Sequence, residues 1–182
     1  MALQKRVILL TGIPHVGKTT VILKTVTALK ERGIFVGGVI SREAREGGTR
    51  VGFEILDLNS GKQGWLAHVN LKAGPQVGRY RVNLEDLEGV GAQAISDAVE
   101  NCAVVAIDEI GPMELFSAKF KAAVQKALES SKPILAIIHR KADAKLIREA
   151  KRRKDAEIIT VTQENRNVLP VAIAEKTVEL LH

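Results

Sequence analysis

The stretch RVILLTGIPHVGKTTVILKTVTALKERG, residues 6–33, constrains the fold more than any other part of the chain. Its first six residues are almost all aliphatic and read as a short buried strand over 6–11. A glycine loop follows without a break. Val21, Ile22, Val26 and Leu29 then recur at helical spacing until Gly33 supplies the stop. Strand, loop and helix in direct succession make one β–α unit, and the remaining sequence repeats that alternation. Residues 34–41 form a second strand, and the Gly47-Gly48 pair supplies a turn. Residues 51–58 and 63–69, separated by NSGK, read as the two arms of an inserted antiparallel ribbon. A helix is expected over 84–100 with Asn83 as N-cap, then a continuous buried strand, CAVVAIDE, over 102–109. Helix 115–130, strand 133–138, helix 141–153, strand 156–161 and a last helix over 166–181 complete the order, with Pro170 near the start of that helix. Apolar strands without polar alternation belong in a mainly parallel sheet covered on both faces, an α/β fold. Residues 1–182 read as one domain with the ribbon inserted at about 42–69.

Composition narrows the class. With 182 residues, 46% of them hydrophobic, the chain can bury ~70% of its unfolded surface. The longest apolar runs are strand-sized, so no membrane span is expected, and the N-terminus lacks the cleavage signature of a signal peptide. The single Cys102 excludes a disulfide framework and fits a reducing, cytoplasmic setting, with its thiol buried and inert. A net charge of +6 favours anionic partners, and much of it sits in HRKADAKLIREAKRRKD, residues 139–155. That stretch reads first as a solvated helix face; a phosphate-facing lid or a nucleic-acid patch are the alternatives.

Gly12, Gly17, Lys18 and Thr19 satisfy the pattern G-x-x-x-x-G-K-[ST], in the strand–loop–helix context it requires. Glycines without side chains let backbone N–H groups close around phosphate oxygens, and the helix aims its positive end at the same anion. Lys18 can reach the β- and γ-phosphates, and the Thr19 hydroxyl can ligate Mg²⁺. A cradle of this kind needs a carboxylate to hold the metal. The strand VVAIDE ends in Asp108 and Glu109, at the edge where ligands of open α/β sheets bind. Asp108 suits Mg²⁺, and Glu109 is then free to deprotonate a water in line with the γ-phosphorus.

DEIGPMELF, GVISREAREGGTRVGFEILDL and RRKDAEIITVTQENRN together resemble the small nucleoside-triphosphatase family with thermophilic archaeal and bacterial members and the human cancer-related nucleoside-triphosphatase. The resemblance runs from the first strand to about Leu169. It implies a RecA-like P-loop fold and Mg²⁺-dependent hydrolysis of ATP, GTP and other nucleoside triphosphates to diphosphate and phosphate. The family's nucleotide-binding stretches fall on Gly12, Ile13, Pro14, His15, Val16, Gly17, Lys18 and Thr19, with Thr20 following. They fall also on Val105, Ala106, Ile107, Asp108, Glu109, Ile110, Gly111 and Pro112. His15 departs from the pattern, which often has glycine there; its side chain is expected to point to solvent.

In RecA-like sheets the strand ending at His139 lies between the glycine-loop strand and the Asp-Glu strand, so His139 can meet the γ-phosphate or the attacking water; a satisfied strand-end histidine is the equal alternative. Asn165 and Arg166, in ENRN after the last strand, are candidates for the base or ribose, with Asn165 as a helix cap the alternative. Arg42, Arg45, Arg50, Arg140, Arg148, Arg152 and Arg153 are candidates to neutralise transition-state charge, each with a surface role as the better single reading. Trp65 is expected to pack within the ribbon rather than stack on a base. Two other functions stay open: a small kinase with an arginine lid, and a nucleic-acid-stimulated ATPase. Glu109 beside Asp108 favours hydrolysis over transfer to an acceptor. Aromatic residues at 3% of the chain weigh against a stacking surface for nucleic acid. A monomer without membrane attachment is the favoured form.

Overall fold

The computed structural model describes residues 4–182. Among the described residues, nine strands form a single sheet: β1 (Val7–Thr11), β2 (Val36–Glu46), β3 (Thr49–Asp57), β4 (Gln63–His68), β5 (Gln76–Val77), β6 (Tyr80–Val82), β7 (Val104–Ile110), β8 (Ile134–Ile138) and β9 (Ala156–Thr160). Their order across the sheet is β5-β6-β4-β3-β2-β7-β8-β1-β9. From β2 to β9 every neighbouring pair is parallel, while β3, β4, β5 and β6 add an antiparallel wing. β8 therefore lies between β1 and β7, as the RecA-like arrangement requires.

The unbroken apolar runs now have a geometric reason. Side chains alternate across a strand, so Val7 and Leu9 of β1 join one core while Ile8 and Leu10 join the other. The first core is closed by a helical stretch that starts at α2 (Leu84–Asp86), passes through a π-helical turn at Leu87–Ala92 and continues as α3 (Gln93–Asn101), together with α4 (Ala118–Glu129) and α5 (Lys145–Arg152). α1 (Lys18–Glu31) and α6 (Leu169–Leu180) close the second, with Val21, Ile22, Val26 and Leu29 of α1 against Ile173 and Ala174 of α6. Helices on both faces leave a parallel sheet with two buried sides, and both sides are written in aliphatic residues.

Several boundaries differ from the sequence expectation, each for a local reason. The inserted ribbon is not a separate arm. β2 runs on to Glu46, and β3, β4 and the small β5–β6 hairpin extend the same sheet through Val82. Asn83 does cap the helix after it, accepting from the Asp86 N–H at 3.1 Å. The helix expected at 115–130 starts at Ala118, because Ser117 caps it by accepting from the Phe120 N–H at 3.0 Å. The helix expected at 141–153 starts at Lys145, after a turn in which the Ala142 N–H bonds the His139 carbonyl. The last helix starts at Leu169 rather than 166, because Asn165 is engaged elsewhere, as described below.

Candidate active site

β1 ends at Thr11 and the chain turns back on itself into α1. Gly12 (φ 149°) and Gly17 (φ 110°) both adopt conformations that L side chains rarely take. At Gly12 space is also required: a methyl there would lie 2.8 Å from the Val161 carbonyl oxygen, just past the end of β9. Val16 is buried in the core beneath the loop, whereas Ile13, Pro14 and His15 face outward. The Lys18 ammonium donates to the Gly12 and Ile13 carbonyls at 3.1 and 2.9 Å, which holds it over the loop. Gly17 caps α1 without a side-chain bond, and the first turn contains no acid. The orphan N–H groups and positive end of the helix dipole therefore face the loop uncompensated, the arrangement that binds anions.

His15 has φ 61°, a left-handed conformation uncommon for a residue with a side chain. Its side chain is exposed, as expected.

β7 brings the acids to the same edge of the sheet. Val105, Ala106 and Ile107 are wholly buried within the strand, so they support the acids rather than reach the loop. Asp108 is 5% exposed, and its Oδ2 has no hydrogen-bond partner, alone in this among buried side-chain atoms of the described residues. Burial pushes its pKa up most strongly, Thr19 pulls it down, Glu109 pushes it up and Lys18 pulls it down, which leaves it at about 7. These partners place Thr19, Lys18 and Asp108 together. Glu109, joined to Asp108 by a cis peptide bond, is also raised by burial, and His139 and Lys18 oppose that shift. His139 thus faces Glu109 from the end of β8, with its N–H bonded to the Ile110 carbonyl at 3.1 Å. Ile110 returns to the core, Gly111 is buried and Pro112 is exposed.

The β9–α6 connection covers the loop from the other side. Arg166 Nη1 donates to the Val16 carbonyl at 3.3 Å, and the Arg166 stem passes Gly17. Asn165 is not the cap of α6; Val168 occupies that position without a side-chain bond. Instead, Asn165 Oδ1 accepts from the Thr162 N–H at 2.8 Å and its Nδ2 donates to the Thr160 carbonyl at 2.9 Å. It is a latch that shapes the connection and so presents Arg166 to the loop.

Five of the seven candidate arginines are engaged away from the acids. Arg42 pairs with Glu54, Arg45 and Arg50 with Glu43, Arg148 with Asp143 and Arg153 with Asp155. Arg140 and Arg152 form no ion pair among the described residues. Trp65 packs edge-on against His68, ring centroids 4.5 Å apart, in the antiparallel wing away from β1. Cys102 is buried and its thiol pKa is raised, first by burial. Two buried acids are not singled out by the sequence: Asp57, whose Oδ2 accepts from the Ser60 hydroxyl, and Glu114, 4% exposed, in a 3₁₀ turn (Glu114–Phe116) beyond the tip of β7. The signal for Glu114 was a lone acid inside the apolar run PMELF.

A family model described as NTPase matches residues 7–174. The chain belongs to the NTPase family. Among relatives of this NTPase, the nucleoside-triphosphatase THEP1 of Thermofilum pendens is 50% identical over 174 residues, covering 95% of this chain and 96% of the relative. That of Methanocaldococcus jannaschii is 41% identical over 169 residues, covering 93% and 95%. The crystal structure of THEP1 from Aquifex aeolicus superposes on the NTPase with a TM-score of 0.79 at 32% identity, covering 92% of this chain and 96% of that one. The solution structure of a human cancer-related nucleoside triphosphatase gives 0.78 at 38% identity, covering 92% and 95%. Among the described residues of the NTPase no helix is long and apolar enough to cross a membrane.

Proposed function

We propose that this NTPase hydrolyses ATP, GTP and other nucleoside triphosphates to diphosphate and phosphate, with little discrimination between bases and with Glu109 as general base. As a family member the chain is a nucleoside-triphosphate hydrolase. The convergence of Lys18, Thr19, Asp108 and Glu109 at one edge of the sheet supports the finer reading.

The loop N–H groups between Gly12 and Thr19, all but that of Pro14, which has none, enclose the phosphate chain, and Lys18 exchanges its two loop carbonyls for β- and γ-phosphate oxygens. Glu109 takes a proton from water as its oxygen bonds the γ-phosphorus and the bridging oxygen departs with the diphosphate. His139, facing Glu109, orients the carboxylate or the water. The donor set fits a divalent cation: a buried, unpartnered Asp108 oxygen beside the Thr19 hydroxyl. No cluster of three His, Cys, Asp or Glu side chains suited to a metal occurs among the described residues. The pair therefore suits Mg²⁺, which takes one or two protein ligands with water and phosphate oxygens. When bound, Mg²⁺ neutralises charge on the β- and γ-phosphate oxygens.

Arg166, held beside the loop by its bond to the Val16 carbonyl, is placed to meet the base or ribose of a bound nucleotide. We take residues 1–182 as one NTPase domain acting as a cytoplasmic monomer on nucleotides. The test is phosphate release from ATP, GTP, CTP and UTP, with and without Mg²⁺, RNA and added phosphoryl acceptors. Mg²⁺-dependent release at similar rates from all four, without an acceptor, is expected. A strict acceptor requirement would replace this reading with a kinase. Strong, salt-sensitive stimulation by RNA would replace it with a nucleic-acid-dependent ATPase.

A further inference from the structure

Glu114 is a buried acid with no task in the reaction above. It opens the short turn after β7, and it forms no ion pair among the described residues. The turn is tied at both ends, by the Leu115 N–H to the Gly111 carbonyl at 3.1 Å and the Ser117 N–H to the Glu114 carbonyl at 3.2 Å. Ser117 then caps α4, so the position of Glu114 is set by the fold.

Gly111 links Glu114 to the site. Its φ is not positive, so backbone conformation does not demand glycine there. Space does. A methyl on Gly111 would lie 2.6 Å from Glu109 Oε1 and 3.2 Å from Glu114 Oε2. Both carboxyls therefore crowd the same glycine, one from the reaction edge and one from the interior.

We propose that Glu114 is a positioning residue for Glu109: its carboxyl, packed across Gly111, closes the inner side of the Glu109 side chain and leaves it directed toward Lys18 and His139. This rests on the reading of Glu109 as the base. A glutamate has three side-chain torsions and, without a wall, spreads its carboxylate over several staggered states. A carboxyl meets the chemistry of this wall better than a hydrocarbon. It faces the N–H groups of Gly111 and of Glu114 itself, which an apolar side chain would leave without an acceptor. Burial first, and then the neighbouring Glu109, hold it toward the protonated form, so it stands beside a second acid without full charge repulsion.

The experiment compares Glu114→Ala, Glu114→Gln, Gly111→Ala and Glu109→Gln with the wild type. It measures kcat and KM for phosphate release, calorimetric affinity for ADP with Mg²⁺, and thermal unfolding. Glu114→Ala is expected to lower kcat ~10²-fold, the scale of a misplacement of about 1 Å, with ADP affinity unchanged. Glu114→Gln, neutral and of the same shape, is expected to recover most of that loss. Gly111→Ala, which keeps both acids, is expected to lower kcat comparably. A folded Glu114→Ala variant with wild-type kcat overturns the proposal, as does a loss mirrored in ADP affinity or not recovered by glutamine. If Glu114→Ala does not fold, wild-type kcat in Gly111→Ala overturns it. Rapid turnover by Glu109→Gln would remove the base reading and the positioning role together. A slow Glu109→Gln beside a fast Glu114→Ala would remove the positioning role alone.

Discussion

Thr19, in the first turn of α1, faces Asp108, at the tip of β7, although β1 and β7 are not neighbours in the sheet. β8 lies between them, its five residues fully buried, and His139 follows it directly. The phosphate loop and the acid pair therefore meet across the end of β8. That edge is where the carboxyl ends of the parallel strands converge and where α/β folds bind their ligands.

Among the described residues, Lys18 is the one ammonium bonded to the loop carbonyls. Lys18→Ala is expected to abolish phosphate release and to weaken nucleotide binding, because no other cation takes its place beside Gly12 and Ile13. Phosphate release and ADP titration calorimetry check this. Full activity in the variant would mean that the loop is not the active site.

Glu109→Gln removes the base and keeps the shape. Turnover should fall ~10²–10⁴-fold with nucleotide binding retained, the range for a positioned general base. Single-turnover hydrolysis separates the chemical step from release. Near-normal rates would hand the proton to another group or to the substrate.

Without a cation Asp108 sits at about pKa 7, chiefly because it is buried. A metal binding there displaces a proton whenever the pH lies below that value. The Mg²⁺ concentration needed for half-maximal activity should rise as pH falls below 7, approaching about tenfold per unit. A requirement that is flat between pH 6 and 8 would refute the raised pKa of Asp108.

Glu114 is raised from an ordinary 4.5 to about 8, first by burial. Its folded-state pKa lies above its unfolded one, so the stability it favours is fully present below about 4.5 and is lost as pH rises through about 8. Asp108 acts in the same direction but finishes near 7. The melting temperature of the wild type should therefore decline across this window more steeply than that of Glu114→Gln. Parallel melting curves for the two proteins would refute the shift.

Gly12→Ala drives a methyl to 2.8 Å from the Val161 carbonyl in a backbone conformation alanine avoids. The expected loss is ~1–3 kcal/mol of stability, together with weaker nucleotide binding. Urea denaturation and ADP titration measure both. A variant as stable as the wild type would show that the loop can yield at that point.

The glycine loop and the Asp108–Glu109 pair were legible because each is written in contiguous residues, whereas the place of β8 between β1 and β7 came from the family resemblance. Asn165 was not. Its amide can cap a helix or latch a turn, and the geometry of the Thr160 and Thr162 backbone selected the latch. Glu114 was passed over because an acid in an apolar run declares its burial only when the surrounding turn is folded.

From residue types and spacing alone came the alternating strands and helices, the phosphate-gripping bend and the acids that end β7. These depend on local backbone geometry and on aliphatic periodicity, which a linear chain already carries. Only the tertiary structure decided which side chains meet across β8, that the inserted strands lengthen the same sheet, and that Gly111 lies between two carboxyls. Those outcomes depend on distances between segments far apart in the chain, and such distances exist only once both faces of the sheet are packed.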